Sequence, residues 1–305
     1  MVHIFVINSM IAPADFSQNL RASLAKHDEL QYHVFNTSGA GMEEDIVRRM
    51  IRYFEGQQLR FYCCGGSGTM RNILQGAEGN DNIEFAFCPL GRTNDFLKVF
   101  GEGIELFKDI ENLIQGERVK VDYIKTNYGV ALNTVSLGID TLLVEELDRV
   151  QYYDIFGKNI PFFMAYIKAL SSTRPRKMVL SVDSHVSVQN ISEIVVGNGN
   201  TLGGEMRFSD SADITDGELD YLVAVDKGPA AIMSILIKMI KGEVEAVRNK
   251  TISGTCSSVL IKSFDGSRLS FNLDGEIVKG GSEWQIDVIN SGLNLVVPRE
   301  VLENN

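Results

Sequence analysis

The feature that most constrains the fold is a strand–helix alternation over about the first 125 residues. Short apolar runs fall at residues 4–7, 32–35, 59–64 and 83–88. Between them, apolar residues recur at helical spacing, as Phe16, Leu20 and Leu24 do. This alternation is typical of a parallel sheet covered by helices on both faces. The sequence therefore predicts an α/β domain over residues 1–125, with any ligand beyond the carboxyl ends of its strands.

The pattern changes after about residue 120, where apolar and polar residues alternate. Such runs lie near residues 119–123, 178–182, 194–196, 219–225, 259–261, 269–273 and 284–288. Helical segments near residues 162–170 and 230–240 interrupt them. Short alternating strands predict a mainly antiparallel β-sandwich, here over residues 126–305. The final apolar run, residues 293–298, could pair with either domain.

Charge and composition narrow the function classes. The 305 residues suffice for two cores, and the net charge of −11 disfavours nucleic acid, whose phosphates require a basic surface. The same charge disfavours permanent docking on anionic membranes, although transient contact remains open. No signal peptide or transmembrane segment is predicted, and the four cysteines lack the spacing of a zinc site. We expect a cytoplasmic protein with buried, reduced thiols.

The strongest candidate site follows the third predicted strand and precedes a predicted helix. It consists of Gly65, Gly66, Ser67, Gly68 and Thr69. Glycines let the backbone approach an anion, and the free amides and dipole of a helix N-terminus favour negative charge. The segment lacks the lysine of a Walker A loop. A tight turn without a ligand would explain the glycines equally well.

A second candidate follows the fourth predicted strand, at residues 89–96. If the third and fourth strands are neighbours, it lies beside the glycine segment. Arg92 and Thr93 could meet phosphate oxygens there. Asn94 could instead cap the helix that follows.

Two acidic turns lie in the second half. Asp213 and Asp216 are three residues apart around a turn, a spacing that lets two carboxylates share one hard cation with a backbone carbonyl. Asp274 precedes a glycine at a predicted strand end, where it could serve as a general base. Taken alone, each turn is more typical of a hairpin.

Together, these features resemble the diacylglycerol kinase catalytic-domain family, which includes bacterial lipid kinases, sphingosine kinases and ceramide kinase. Its GGDGT loop matches residues 65–69, and its PxGTxNDF motif matches residues 89–96. Its asparagine–serine–glycine stretch resembles residues 132–140, and its later signatures match residues 197–200, 203–204, 212–219 and 274–276. The resemblance covers nearly the whole chain and implies the two-domain fold shared by diacylglycerol kinases and NAD kinases.

The resemblance also implies roles for individual residues. The nucleotide site would be lined by Asn8, Thr37, Gly65, Gly66, Ser67, Gly68, Thr69, Arg92, Thr93 and Asn94. Asp213, Asp216 and the carbonyl of Glu218 would hold a structural magnesium ion. Asp274 would take the proton of the acceptor hydroxyl, with Glu276 beside it. The implied reaction transfers the γ-phosphoryl group of ATP, with Mg²⁺, to a lipid hydroxyl such as that of diacylglycerol, which places the enzyme in phospholipid metabolism.

Three departures from the family pattern keep other functions open. Ser67 replaces the loop aspartate, Asn72 replaces a nearby glutamate, and Arg92 replaces a threonine. A weak or inactive pseudokinase that binds nucleotide or lipid is therefore one alternative. An NAD kinase-like enzyme is another, but the Asn-Glu pair of NAD kinases has no convincing counterpart here. The expected partner is a lipid at a membrane surface, visited transiently. The identity of the lipid and the oligomeric state, with a homodimer among the options, stay open.

Overall fold

A computed structural model describes residues 1–39, 41–80, 82–91, 93–138 and 174–303. The helix predicted near residues 162–170 and the predicted site residue Arg92 lie outside these ranges. The chain forms two compact units. The first comprises residues 1–122 and 290–305, and the second comprises residues 123–289.

The described elements are as follows, in chain order. The strands are β1 (Val2–Asn8), β2 (Tyr32–Thr37), β3 (Leu59–Gly65), β4 (Ile83–Pro89), β5 (Glu117–Thr126), β6 (Gly129–Ala131), β7 (Thr134–Leu137), β8 (Arg176–Val182), β9 (His185–Gly197), β10 (Thr201–Leu202), β11 (Met206–Arg207), β12 (Leu219–Val225), β13 (Ile252–Cys256), β14 (Ser258–Ser263), β15 (Ser270–Leu273), β16 (Glu276–Lys279) and β17 (Glu283–Val297). The helices are α1 (Phe16–Leu24), α2 (Met42–Tyr53), α3 (Ser67–Ala77), α4 (Ile110–Ile114), α5 (Pro229–Ile240), α6 (Val244–Arg248) and α7 (Arg299–Glu303). A 3₁₀ segment, Asp95–Lys108, is kinked at Gly101.

The first unit contains a parallel sheet in the order β2-β1-β3-β4-β17. Every residue of β3 and β4 is buried. Burial on both faces explains why these strands are continuous apolar runs without alternation. The predicted α/β fold class is confirmed for this unit.

The second half of the chain's last strand, from residue 290 of β17, belongs to the first unit, which answers a question that the sequence left open. Asn294 and Leu295 of β17 pair in parallel with β4. The backbone amide of Ser291 donates a hydrogen bond of 2.6 Å to the Asp122 carboxylate. The C-terminal part of β17 thus joins the same parallel sheet as the N-terminal strand β1.

The second unit is built from antiparallel strands paired in the order β16-β15-β7-β9-β8-β14-β17. Strand β12 also pairs with β9, along residues 191–197. Alternate residues of these strands form a core that includes Phe271, Trp284 and Ile261. This arrangement confirms the predicted sandwich. A second apolar cluster joins β9 and β12 to one face of α5.

The four cysteines are buried and form no disulfides. Burial raises the pKa of the Cys63 thiol well above its ordinary value and that of Cys256 to about 12. These two thiols are therefore neutral, and the burial of the cysteines agrees with the sequence prediction. No helix in the described ranges has the length and apolar character needed to cross a membrane.

Candidate active site

Four parallel strands of the first unit end at one edge of the sheet. Asn8 at the end of β1 is in register with Thr37 at the end of β2. Gly65 at the end of β3 is likewise in register with Pro89 at the end of β4. Because parallel strands present their carboxyl ends together, the predicted nucleotide residues that the structure describes share this edge. We call it the carboxyl edge.

The glycine segment connects β3 directly to α3. The helix begins at Ser67, with Gly66 as its extended N-cap residue. Its first hydrogen bond runs from the Met70 amide to the Gly66 carbonyl, at 3.0 Å. The amides of the preceding residues therefore lie outside the helical ladder, and the first turn carries no acidic side chain. This geometry favours an anion at the carboxyl edge.

The turn after β3 packs tightly against the turn after β4. The amides of Leu90 and Gly91 both donate to the Gly65 carbonyl, at 2.8 and 3.2 Å. A Cβ atom added to Gly91 would lie 2.5 Å from the Gly66 Cα atom, closer than side chains tolerate. One added to Gly65 would lie 2.6 Å from the Thr69 side chain. Glycine is thus required where the two backbones meet.

Two asparagines stabilise this arrangement. Asn8 donates a hydrogen bond of 2.9 Å to the Thr69 hydroxyl, which links β1 to the first turn of α3. Asn94 has a left-handed backbone and donates to the Gly91 carbonyl at 2.7 Å. Its side chain does not cap the following 3₁₀ segment. The buried Asn94 Oδ1 atom has no hydrogen-bond partner in the part of the chain that the structure describes, so it can accept from a ligand.

Thr37 is at the carboxyl edge, but its side chain is fully buried. Its hydroxyl donates a hydrogen bond of 2.6 Å to the carboxylate of Glu43, which is itself 3% exposed. The sequence reasoning missed Glu43. The signal was its helical spacing, because Glu43 precedes the buried residues Ile46 and Val47 by three and four positions.

A second group of predicted residues comes together in the second unit. The Asp274 carboxylate accepts hydrogen bonds from the backbone amides of Leu132, Asn133 and Thr134, at 2.6, 2.9 and 2.9 Å. The backbone of Asp274 is left-handed, with φ of 50°, and Gly275 follows it. The turn thereby fixes both the position and the orientation of the carboxylate.

Strand pairing explains how distant motifs reach Asp274. Strand β7 pairs with β15 on one side and with β9 on the other. Asn198, just after β9, donates from its side chain to the Leu132 carbonyl at 3.1 Å. The Asn133 side chain donates to the Thr201 carbonyl at 2.7 Å. The described part of the predicted segment 132–140, residues 132–138, therefore forms one cluster with residues 197–200 and 274, while residues 139 and 140 lie outside the described ranges.

The predicted metal turn, residues 213–218, leads directly into β12. It lies at the same end of the second unit, because Asp220 of β12 pairs with Gly197 at the end of β9. Asp213 accepts from the amide and hydroxyl of Thr215, at 2.9 and 2.7 Å, and Asp216 accepts from the Glu218 amide at 2.9 Å. Within the described ranges, no three His, Cys, Asp or Glu side chains group in a way that could hold a metal. The predicted set has two carboxylates and a carbonyl, so it remains a prediction. Its exposed oxygen ligands suit a hard cation such as Mg²⁺.

The other predicted site residues that the structure describes are half-buried or exposed. Thr93, Ser67 and Gly68 are half-buried at the carboxyl edge. Glu276 is exposed at the start of β16, two residues after Asp274. These residues are accessible to a ligand, which is what their predicted roles require.

Both parts of the chain match domains of known protein families. Residues 133–297 match the YegS C-terminal NAD kinase beta sandwich-like domain, and residues 4–126 match the diacylglycerol kinase catalytic domain. The two domains in this order define a protein of the lipid kinase class. The chain belongs to the diacylglycerol kinase-like family, as its motifs predicted.

Similar proteins carry corresponding names. The chain is 28% identical over 216 residues to a protein from Staphylococcus haemolyticus named "Putative lipid kinase", covering 67% of this chain and 68% of that one. It is 27% identical over 228 residues to a Staphylococcus aureus protein of the same description, covering 71% and 73%. A crystal structure titled "a putative diacylglycerol kinase" from Bacillus anthracis aligns over 98% of both chains, with a TM-score of 0.72 and 18% identity. This last similarity shows a shared fold.

Proposed function

We propose that the protein is an ATP- and Mg²⁺-dependent lipid kinase that transfers the γ-phosphoryl group of ATP to the hydroxyl of a lipid such as diacylglycerol. Its membership of a lipid kinase-like family supports the reaction class. The observation that carries the proposal is the glycine-only contact between Gly66 and Gly91 at the N-terminus of α3. Side chains are excluded where backbone amides can meet phosphate oxygens.

The residues at the carboxyl edge would bind and orient the triphosphate. The amides at the start of α3 would donate to phosphate oxygens, while the buried Asn94 Oδ1 atom would accept from a ligand donor. Glu43 and Thr37 would support this edge from beneath, since both are buried. Phosphoryl transfer depends chiefly on such alignment and on charge neutralisation.

Asp274 would act on the acceptor. An oxygen of its carboxylate would take the proton as the acceptor oxygen bonds to the γ-phosphorus and the bond to the β–γ bridging oxygen breaks, releasing ADP. Three backbone hydrogen bonds keep the carboxylate in one orientation, which reduces the reorganisation required at that moment. Asp213, Asp216 and the Glu218 carbonyl would hold Mg²⁺, which supplies positive charge and rigidity.

The test is phosphoryl transfer from labelled ATP to a panel of diacylglycerol, monoacylglycerol, a sphingoid base, phosphatidylglycerol and NAD. We expect a labelled lipid with the wild type, and loss of transfer by a factor of about 100 or more in Asp274→Asn, with ATP binding retained. Asp226→Asn is the matched control, because Asp226 is another left-handed aspartate of this unit, following the opposite end of β12.

Other outcomes select other functions. A second candidate function is nucleotide binding without phosphate transfer. It is favoured by the first turn of α3, which has no acidic side chain. ATP binding with no labelled acceptor would support that candidate and contradict the kinase proposal. Labelling of NAD alone would support an NAD kinase-like enzyme.

A further inference from the structure

Helix α5 is apolar around most of its circumference, and among the described residues only one of its sides is packed into an apolar core. Its sequence from Pro229 to Ile240 contains a single charged residue, Lys238. One face is buried against β9 and β12 through Ile232, Ile235, Leu236 and Met239. A helix that is apolar all round usually has a second partner for its other face.

The other face forms an exposed stripe. Ala230, Met233 and Ile237 follow one another at helical spacing and line a surface groove of about 320 Å³. Ile237 is 44% exposed and Ile240 is 52% exposed. We call this face the α5 stripe. At 1.5 Å per residue the helix is about 18 Å long, enough for a continuous apolar contact.

Basic side chains outnumber acidic ones beside the stripe, in a chain that is acidic overall. Residues 227–250 contain five basic and two acidic side chains, whereas the whole chain has a net charge of −11. Lys238, Lys241 and Glu243 line the groove, and Lys238 pairs with Glu243 at 2.9 Å. Arg248 and Lys250 are exposed just beyond it, and the Lys250 ammonium group donates to Ser234 on α5 at 2.9 Å. The overall charge therefore conceals a local basic surface.

We propose that the α5 stripe docks the protein on the surface of an anionic lipid bilayer. The aliphatic side chains would enter the boundary between headgroups and acyl chains, while the lysine ammonium groups would remain at the level of the phosphates. This inference rests on the proposed function and deepens it, because a kinase acting on a bilayer lipid must approach the bilayer in a defined orientation.

The composition of the stripe favours a bilayer over a second copy of the chain. Protein–protein contacts are enriched in aromatic residues, methionine and arginine and depleted in lysine. Helix α5 and its groove contain no aromatic residue or arginine, and two lysines line the groove. Charge acts in the same direction, since lysines beside an apolar strip complement lipid phosphates. With one short helix and few cations, binding would be reversible, as a transient visit requires.

The test is co-sedimentation of the full chain, without nucleotide, with vesicles of phosphatidylcholine alone or mixed with phosphatidylglycerol. We expect binding to the mixed vesicles and little binding to phosphatidylcholine alone. The double variant Ile237→Ser/Ile240→Ser should weaken binding about tenfold, since two partly exposed isoleucines no longer leave water. Lys241→Glu/Lys250→Glu should abolish the preference for phosphatidylglycerol.

The matched control is Val186→Ser/Val188→Ser, which replaces two aliphatic residues of β9 that are 69% and 49% exposed. It should bind like the wild type. Equal binding by the control and the isoleucine variant, or no binding by the wild type, would overturn the proposal. So would a solution dimer that only the isoleucine variant dissociates, because the stripe would then be a self-association surface.

Kinase activity is measured separately, on a short-chain lipid dissolved below its micelle concentration. The isoleucine variant should retain activity there, since none of the proposed catalytic or nucleotide-binding residues is changed. Failure of vesicle binding with this activity intact would refute the docking surface alone. If the wild type binds vesicles but phosphorylates none of the acceptors, the proposed function alone would be refuted.

Discussion

The hydrogen bond between Thr37 and Glu43 at the carboxyl edge is buried. The hydroxyl proton of Thr37 is directed to a carboxylate that is almost fully buried. The Thr37 side chain is therefore engaged in the fold, and its predicted contribution to nucleotide binding is more naturally made through its backbone. Glu43 meanwhile places a carboxylate beneath a site whose helix has none in its first turn.

A double-mutant cycle tests this contact. Glu43→Ala should lower the free energy of unfolding by about 1–3 kcal/mol, because the Thr37 hydroxyl loses its acceptor while it stays buried. Adding Thr37→Val should recover much of that loss, because both polar partners are then gone. Urea unfolding of the single and double variants measures the coupling. Strictly additive effects would show that the contact does not stabilise the fold.

Ser67 is the first residue of α3, within the proposed anion site, and its replacement by aspartate should change how ATP binds. A carboxylate at the first residue of α3 would repel free triphosphate but could share a cation with it. We expect Ser67→Asp to weaken binding of ATP without Mg²⁺ and to increase the dependence on Mg²⁺. Calorimetric titrations with and without Mg²⁺ measure both effects. The uncharged Ser67→Asn is the control, and an equal response from it would contradict the charge argument.

At the scale of elements, the sequence predicted the strands more reliably than their contacts. The buried runs of β3 and β4 were predicted because fully covered parallel strands are continuously apolar. The close approach of Gly66 and Gly91 was not, since it depends on which strands are neighbours. In the same way, the alternation around residues 269–273 predicted a strand, but not that the backbone amides of residues 132–134 would bind Asp274. Local pattern specifies an element, and long-range pairing specifies its contacts.

Two glycine variants test the packing of the turns. Gly91→Ala would place a methyl group 2.5 Å from the Gly66 Cα atom, so the turns must separate, and we expect a loss of about 1–3 kcal/mol in stability. Gly68 lies in the first turn of α3 with open space around its Cβ position. Gly68→Ala should therefore be neutral or stabilising by up to about 1 kcal/mol. Denaturant unfolding compares them, and equal stabilities would contradict the packing argument.

At the scale of the whole molecule, acid should weaken the fold through His3. This residue stacks on Tyr62, and its Nδ1 atom lies 2.8 Å from the Tyr62 hydroxyl. Burial, and then the charge of Arg60, lower the pKa of His3 from 6.5 to about 4. The unfolded chain therefore binds a proton at a higher pH than the folded chain does. The contribution of His3 to stability is complete above about pH 6.5 and falls as the pH drops toward 4.

The variant His3→Phe isolates this effect, because it keeps an aromatic ring but removes the titrating group. Urea unfolding between pH 4 and 8 should show wild-type stability falling relative to the variant below about pH 6.5. Other titrating groups are common to both proteins and cancel in the difference. A difference that does not change with pH would show that His3 is not buried in its neutral form.

The two-part organisation of the molecule was predictable because the hydrophobic period changes along the chain. The return of residues 290–305 to the first unit was left open, since an apolar run does not identify its partner strand. The candidate site shows the same limit of sequence analysis. Motifs predicted its residues, but the backbone hydrogen bonds to Asp274 and the buried hydrogen bond of Glu43 were visible only in the folded structure.

The proposed kinase reaction requires a triphosphate at the carboxyl edge to meet an acceptor hydroxyl bound by Asp274. A crystal structure with a non-hydrolysable ATP analogue and Mg²⁺ tests it most directly. We predict phosphates on the amides that open α3 and a γ-phosphorus within roughly 6 Å of the Asp274 carboxylate, the span of one intervening hydroxyl oxygen. A triphosphate bound elsewhere, or an Asp274 carboxylate far from the γ-phosphorus, would contradict the account.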